Sequence, residues 1–273
     1  MSTLVLPSTH IYTGSLILVN REHALMPMHK FMGKVPDDLV PVQEELPSIR
    51  MQRRAATLLS NLIADIHGWG SIVPVSGWRS FEEQQDIWNN TLKESGRRFT
   101  EKYVAIPGHS EHQTGLAIDL ALKQDSIDFI CPDFPYSGIS QTFRKKAAAY
   151  GFIERYPAGK EQITGIGHEP WHFRYVGVPH AEIMKKHDLT LEEYIIFIKQ
   201  FPYGQKAHGI QPCEQGVLVS YLKAEQASNT LLEIDGSAPY SISGNNTDGF
   251  IITEWRQSNA YGTKLPGVRQ GMD

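Results

Sequence analysis

The sequence predicts an α+β fold in which a central antiparallel sheet has helices packed around it and a small β-rich appendage follows at the C-terminal end. Three observations predict it. Apolar residues recur at helical spacing in the segment after Ser48, whereas Ile72–Ser76, Leu116–Leu122 and Trp171–Val176 read as short strands between helical stretches. Beyond about Tyr203 the pattern shortens to "GVLVSYL", "TLLEID" and "GFIITEW", divided by Gly, Ser and Asn turns. At 273 residues, 41% of them hydrophobic and 21% charged, the chain can hold one sizeable core with an appendage.

The elements follow in order. The N-terminal "MSTLVLPSTHIYTG" carries short apolar runs that read as strands, and "GSLILVN" reads as a strand leading into a loop. After a Pro-rich stretch, Met51, Ala55, Leu58, Leu59, Leu62, Ile63 and Ile66 form one helical face, stopped by Gly68 and Gly70. "SIVPVSGWRS" is a strand ending at Ser76–Gly77, and Ser80 with Glu83 forms a capping box for a helix expected to run to about Glu94. Arg79 therefore falls in the tight connection between a strand end and a helix start, where working residues are common. A helix is expected over Gln141–Tyr150, ended by Gly151, and two more between Pro179 and Phe201. The expected division is a main domain over 1–202, a β-rich appendage over 203–255, and a mobile tail over 256–273, which lacks periodicity.

Charge and composition exclude several classes. With 26 Lys and Arg against 30 Asp and Glu, the formal net charge of −4 argues against a phosphate-backbone binder, so no nucleic-acid partner is expected. No run of some 18 or more apolar residues exists to span a membrane. The N-terminus lacks the basic and apolar regions of a signal peptide, and Cys131 and Cys213 suggest neither a CxxC metal site nor a disulfide framework. A cytoplasmic location is the expectation; the oligomeric state is left open.

The chemistry centres on "HSEHQTGLAIDLAL". In a strand, Leu116, Ile118, Leu120 and Leu122 share an apolar face, and Ala117, Asp119 and Ala121 share the other. A carboxylate on a half-buried strand needs a partner. His112 lies in the loop feeding that strand, and "GHEPWHFRYV" adds Glu169 and His172. A His, an Asp and a second His make a ligand set for one zinc ion, with a fourth position left for water, as in catalytic rather than structural sites. Such a water has its pKa drawn down towards ~7. Glu169 then suits the general base. In a regular strand, however, positions 169 and 172 point to opposite faces, so Glu169 must precede the pleat or lie at a bulge, which Pro170 permits. A rival three-histidine set would use His109 or His168 in place of Asp119.

The motifs resemble those of a known family. "SEHQTGLAID" matches SxHxxGxAxD and "EPWH" the second motif of the zinc D-alanyl-D-alanine peptidases, the VanX, VanY and VanXY enzymes of vancomycin-type resistance. "SGWRS" with the following "EEQQ", and "LILVN", extend the resemblance over roughly residues 14–200, and it is most like the VanXY group. The resemblance implies one zinc per chain on His112, Asp119 and His172, with Glu169 as base. It also implies Arg79 as the cation that stabilises the oxyanion, and Ser110 as a ligand of the substrate carboxylate. Trp171 is expected as a pocket wall, and Gln84 beside Arg79 as a further substrate contact. The implied substrates are the D-Ala-D-Ala dipeptide and peptidoglycan precursor peptides. Two rival expectations are a peptidoglycan-lytic endopeptidase and a non-enzymatic, zinc-stabilised binding module.

Overall fold

The computed structural model of the chain describes residues 2–26, 38–204, 216–225 and 228–256. Its elements are β1 (Ser2–Leu6), β2 (Leu39–Pro41), β3 (Arg50–Gln52), α1 (Arg53–Asp65), β4 (Ile72–Ser76), α2 (Phe81–Tyr103), β5 (Ala117–Leu122), α3 (Gly138–Ala147), β6 (Phe152–Tyr156), α4 (Glu161–Thr164), β7 (Glu169–Tyr175), α5 (His180–His187), α6 (Leu191–Ile198), β8 (Val217–Lys223), β9 (Thr230–Ile234), β10 (Tyr240–Gly244) and β11 (Gly249–Trp255).

Four strands form the central antiparallel sheet in the order β4-β5-β7-β6. The alternation along β5 divides the molecule as expected. Leu116, Ile118 and Leu120 join Phe173, Tyr175 and Phe143 in the main core, beneath the Ala55, Leu59, Leu62 and Ile63 face of α1. Asp119 lies on the opposite face between Ala117 and Ala121, whose small side chains are fully buried and leave room above the sheet. One face is therefore closed by apolar packing, worth roughly 1.5–3 kcal/mol per large side chain. The other is left for polar groups.

The capping box at the start of α2 forms in both directions, Glu83 N donating to Ser80 Oγ at 3.0 Å and Ser80 N to Glu83 Oε2 at 2.7 Å. The helix continues past Glu94 to Tyr103, beyond its expected end. Gly96, at φ 77°, breaks the helical path near that end, and a second helical segment follows it.

The segment at 14–19 departs from expectation. It is no strand, although Leu16, Ile17, Leu18 and Val19 are buried. Its backbone polar groups are satisfied mainly by side chains and a loop. Leu16 N donates to Ser243 Oγ and Leu18 N to Asn245 O, while Arg174 Nη2 donates to Ser15 O and Ile17 O. Asn246 Nδ2 donates to Leu18 O. Burial gave the apolar run, but no neighbouring ladder was available to pair it.

In the C-terminal region β10-β11-β8 form an antiparallel sheet, while β9 pairs with β1, joining the N-terminal strand to this region. Leu16, Leu18, Ala181, Tyr194, Ile198, Val219 and Ile251 share one apolar cluster, so these strands pack on α5, α6 and the 14–19 segment. Residues 257–273, most of the expected tail, and Cys213 lie outside the described residues. Among the described residues no helix is long and apolar enough to cross a membrane.

Candidate active site

The register of the sheet assembles the site. Ser76 on β4 is opposite Asp119 on β5, and Asp119 is opposite His172 on β7, so three neighbouring strands present these side chains in a row. His112 comes from a short 3₁₀ turn, Glu111–Thr114, that ends at Gly115 with φ 71°, a left-handed backbone that favours glycine. A Cβ there would also meet the Leu39 side chain at 2.7 Å.

Glu169 reaches the same side as His172 through a bulge. Glu154 pairs with Phe173 and Tyr156 with Glu169, so β7 spends extra residues between two ladder positions that β6 spans with fewer. That breaks the two-residue alternation. Glu169 Oε2 lies 3.8 Å from His172 Nδ1. All eight residues expected at the site, Arg79, Gln84, Ser110, His112, Asp119, Glu169, Trp171 and His172, line one cavity.

Asp119 is the hub. Its Oδ1 is 2.9 Å from His172 Nδ1, and its Oδ2 is 3.1 Å from His112 Nε2 and 2.8 Å from Arg79 Nη2. Among the described residues His112, Asp119 and His172 can surround one ion, with ligand atoms within 4.8 Å of one another. The donor set passes a chemical test. His112 Nδ1 is 2.7 Å from Gly77 O, a carbonyl that only accepts, so Nδ1 carries the proton. Burial and then the Arg79 charge push the His112 pKa down to about 4, which keeps the ring neutral. Its Nε2 lone pair thus faces a carboxylate oxygen. Two acceptors at that distance need a cation between them.

Asp119 is held well below the usual carboxylate range; burial opposes this, but the two histidines outweigh it. Burial pushes Glu169 up to about 8, against the pull of His172, so near neutral pH it can both take and release a proton. Burial pulls His172 down, but the carboxylates of Asp119, Glu111 and Glu169 around it outweigh burial and raise it to about 9.

Arg79 is fixed on three sides. Besides Asp119, its Nε donates to Ser76 Oγ at 2.8 Å and its Nη1 to Gln84 Oε1 at 3.4 Å. Gln84 is fully buried and donates from Nε2 to Ala105 O, so both ends of its amide are engaged. His109 and His168 bond elsewhere: His109 Nδ1 lies 2.8 Å from Asn20 O, and His168 Nε2 lies 2.8 Å from Tyr136 Oη. Neither joins the ligand cluster.

Sequence reasoning missed the layer beneath. Glu111 Oε1 accepts from Arg155 Nε at 2.8 Å and Arg174 Nη1 at 2.6 Å, all fully buried. Arg155 makes two more bonds to Glu192, at 2.9 and 2.6 Å. One signal was available: Arg174 lies two positions after His172 on β7 and so shares its face.

The family model for VanY, D-alanyl-D-alanine carboxypeptidase, matches residues 48–178. The bifunctional D-Ala-D-Ala dipeptidase and D-Ala-D-Ala carboxypeptidase VanXYC of Enterococcus gallinarum is 41% identical over 192 residues, 68% of this chain and 96% of that protein. The crystal structure of the vancomycin-resistance D,D-dipeptidase VanXYg, in complex with a D-Ala-D-Ala phosphinate analogue, superposes with a TM-score of 0.88 at 47% identity, over 93% of this chain and 99% of that one. A vancomycin-resistance D,D-pentapeptidase VanY in complex with Zn(II) matches with a TM-score of 0.52 at 31% identity, over 66% of this chain and 98% of its own.

Proposed function

The chain belongs to the VanY family of D-alanyl-D-alanine carboxypeptidases, and on that premise we propose that it is a zinc D,D-peptidase of the VanXY kind. It hydrolyses the D-Ala-D-Ala dipeptide and removes the C-terminal D-Ala from peptidoglycan precursors in the cytoplasm, the chemistry of vancomycin-type resistance. The observation that carries this reading is the meeting of His112, Asp119, His172, Glu169 and Arg79 in one cavity, in a chain whose backbone follows that of VanXYg.

His112, Asp119 and His172 would hold the zinc. When bound, zinc supplies Lewis acidity, lowering the pKa of water and polarising the scissile carbonyl. The chain's own residues do the rest. Glu169, lifted towards neutrality by burial, takes the proton of the attacking water and returns it to the leaving D-alanine amine. Arg79, already clamped by Ser76 and Gln84, offers a cation to the developing oxyanion without reorganising. Ser110, buried and lining the cavity, supplies a hydroxyl for the terminal carboxylate, and Trp171 forms part of the wall. Gln84 acts on substrate through Arg79, since its amide has both ends bonded within the protein.

The test is release of D-alanine by the purified, zinc-loaded protein from D-Ala-D-Ala and from a pentapeptide ending in D-Ala-D-Ala. Chelator should abolish both activities and zinc should restore them. Turnover of neither substrate by zinc-loaded protein would refute the proposal.

A further inference from the structure

We infer that Glu111 is a positioning residue for the metal centre: its Oε2 accepts the Nε2 proton of His172 and so presents the His172 Nδ1 lone pair towards the ion. The inference rests on the metal site proposed above and adds a residue to it.

Two buried atoms carry the argument. Glu111 Oε2 and His172 Nε2 both lack a hydrogen-bond partner among the described residues. They face each other at 3.6 Å, on side chains that are 0% and 4% exposed. A buried donor and a buried acceptor left apart are each costly, so a small closure that pairs them is favoured. The pairing also sets the tautomer. With the proton on Nε2, Nδ1 is the free lone pair, and Nδ1 is the atom beside Asp119 Oδ1 at 2.9 Å and nearest Glu169. A histidine ligand whose second nitrogen donates to a carboxylate is held in orientation and made more basic.

A simpler role for Glu111 would be to neutralise Arg155 and Arg174. A counter-ion between two guanidinium groups would offer each an oxygen, or both oxygens to one fork. Here both arginines contact the same oxygen, Oε1. Oε2 is left pointing at His172 alone. The clamp is itself anchored, with Arg155 on Glu192 and Arg174 on Ser15 O and Ile17 O, so the direction of Oε2 is fixed from three elements.

The test compares the unaltered protein with Glu111→Gln. The two guanidinium groups compel the amide oxygen to face them, which turns the amide NH₂ towards His172 Nε2–H, donor against donor. Zinc affinity, read by competition with a chromogenic chelator, should fall roughly 10- to 100-fold in Glu111→Gln. Thermal unfolding records any loss of stability separately, and His180→Gln, a buried substitution remote from the site, should lower stability and leave zinc affinity unchanged. In the zinc-loaded unaltered protein, long-range ¹⁵N–¹H spectra should show His172 protonated at Nε2. That measurement decides the matter if Glu111→Gln fails to fold. A His172 ring protonated at Nδ1, or zinc affinity within about twofold of the unaltered protein in folded Glu111→Gln, overturns the inference and leaves the metal site standing. Failure of the unaltered protein to bind zinc overturns both.

Discussion

Arg79 shows how much a single side chain depends on partners distant in sequence. Its place in the turn after β4 is readable from "SGWRS" and the capping box that follows, but its bond to Asp119, 40 positions away, exists only because Ser76 and Asp119 are opposite each other in the sheet. If the guanidinium serves the oxyanion, Arg79→Ala should lower kcat roughly 10²- to 10³-fold with KM little changed. Arg79→Lys should recover only part, because an ammonium lacks the planar fork. Rates are to be normalised to zinc-loaded, folded protein, since the same change removes one of the partners of Asp119. A normal kcat would assign Arg79 to the turn alone. The proposed ligands and Glu169 could be singled out because their residue types and motif spacing suit that chemistry. Glu111 was not, since an acid beside a histidine in a polar loop reads as solvated until Arg155 and Arg174 are seen buried against it.

At the level of elements, two irregularities do the positioning. The bulge in β7 turns Glu169 to the side of His172, an outcome that the sequence posed as a requirement but whose geometry depends on the β6 pairing. The second is Gly77, where a Cβ would stand 2.3 Å from Arg50 O while the Gly77 carbonyl orients His112. Gly77→Ala should therefore cost about 1–3 kcal/mol of stability through overpacking. It should also weaken zinc binding, because the carbonyl and β3 cannot both keep their places. Urea denaturation and chelator competition on one preparation measure both effects; loss of stability with unchanged zinc affinity would deny the carbonyl its orienting role. The expected strand at 14–19 failed for a physical reason already visible in its partners. Hydrophobicity foretold that Leu16 and Leu18 are buried, but not that Ser243, Asn245 and Arg174 would satisfy the backbone there.

Across the whole molecule, the C-terminal strands are bound to the rest by β1–β9 pairing and by the apolar cluster that Val219 and Ile251 share with Tyr194 and Ile198. The change in sequence character near Tyr203 was readable; the pairing of β1 with β9 was not, because pairing between strands so far apart in sequence leaves no local signal. His180 joins these parts, its Nδ1 2.7 Å from Tyr194 Oη on α6 and its Nε2 3.1 Å from Thr253 Oγ1 on β11. Burial pushes its pKa from 6.5 down to about 3. The unfolded chain therefore binds a proton that the folded chain refuses between those values. This contribution to stability is present above about pH 6.5 and is lost progressively as pH falls towards 3. Each pH unit inside the window removes about 1.4 kcal/mol, and His180→Gln should remove that part of the dependence while lowering stability at pH 7. Denaturant unfolding at pH 7 and pH 5 measures the difference. Identical pH dependence in the two proteins would mean that His180 takes up its proton in the fold as readily as in the unfolded chain.

The proposed mechanism divides the labour between Glu169, which moves protons, and the His112, Asp119 and His172 side chains, which hold zinc. One preparation of folded Glu169→Ala, assayed for zinc content and for D-Ala-D-Ala hydrolysis, tests it most directly. One zinc per chain is expected, as in the unaltered protein, with turnover lowered by at least about 10²-fold. Loss of the zinc with Glu169, or full turnover without it, would refute this division.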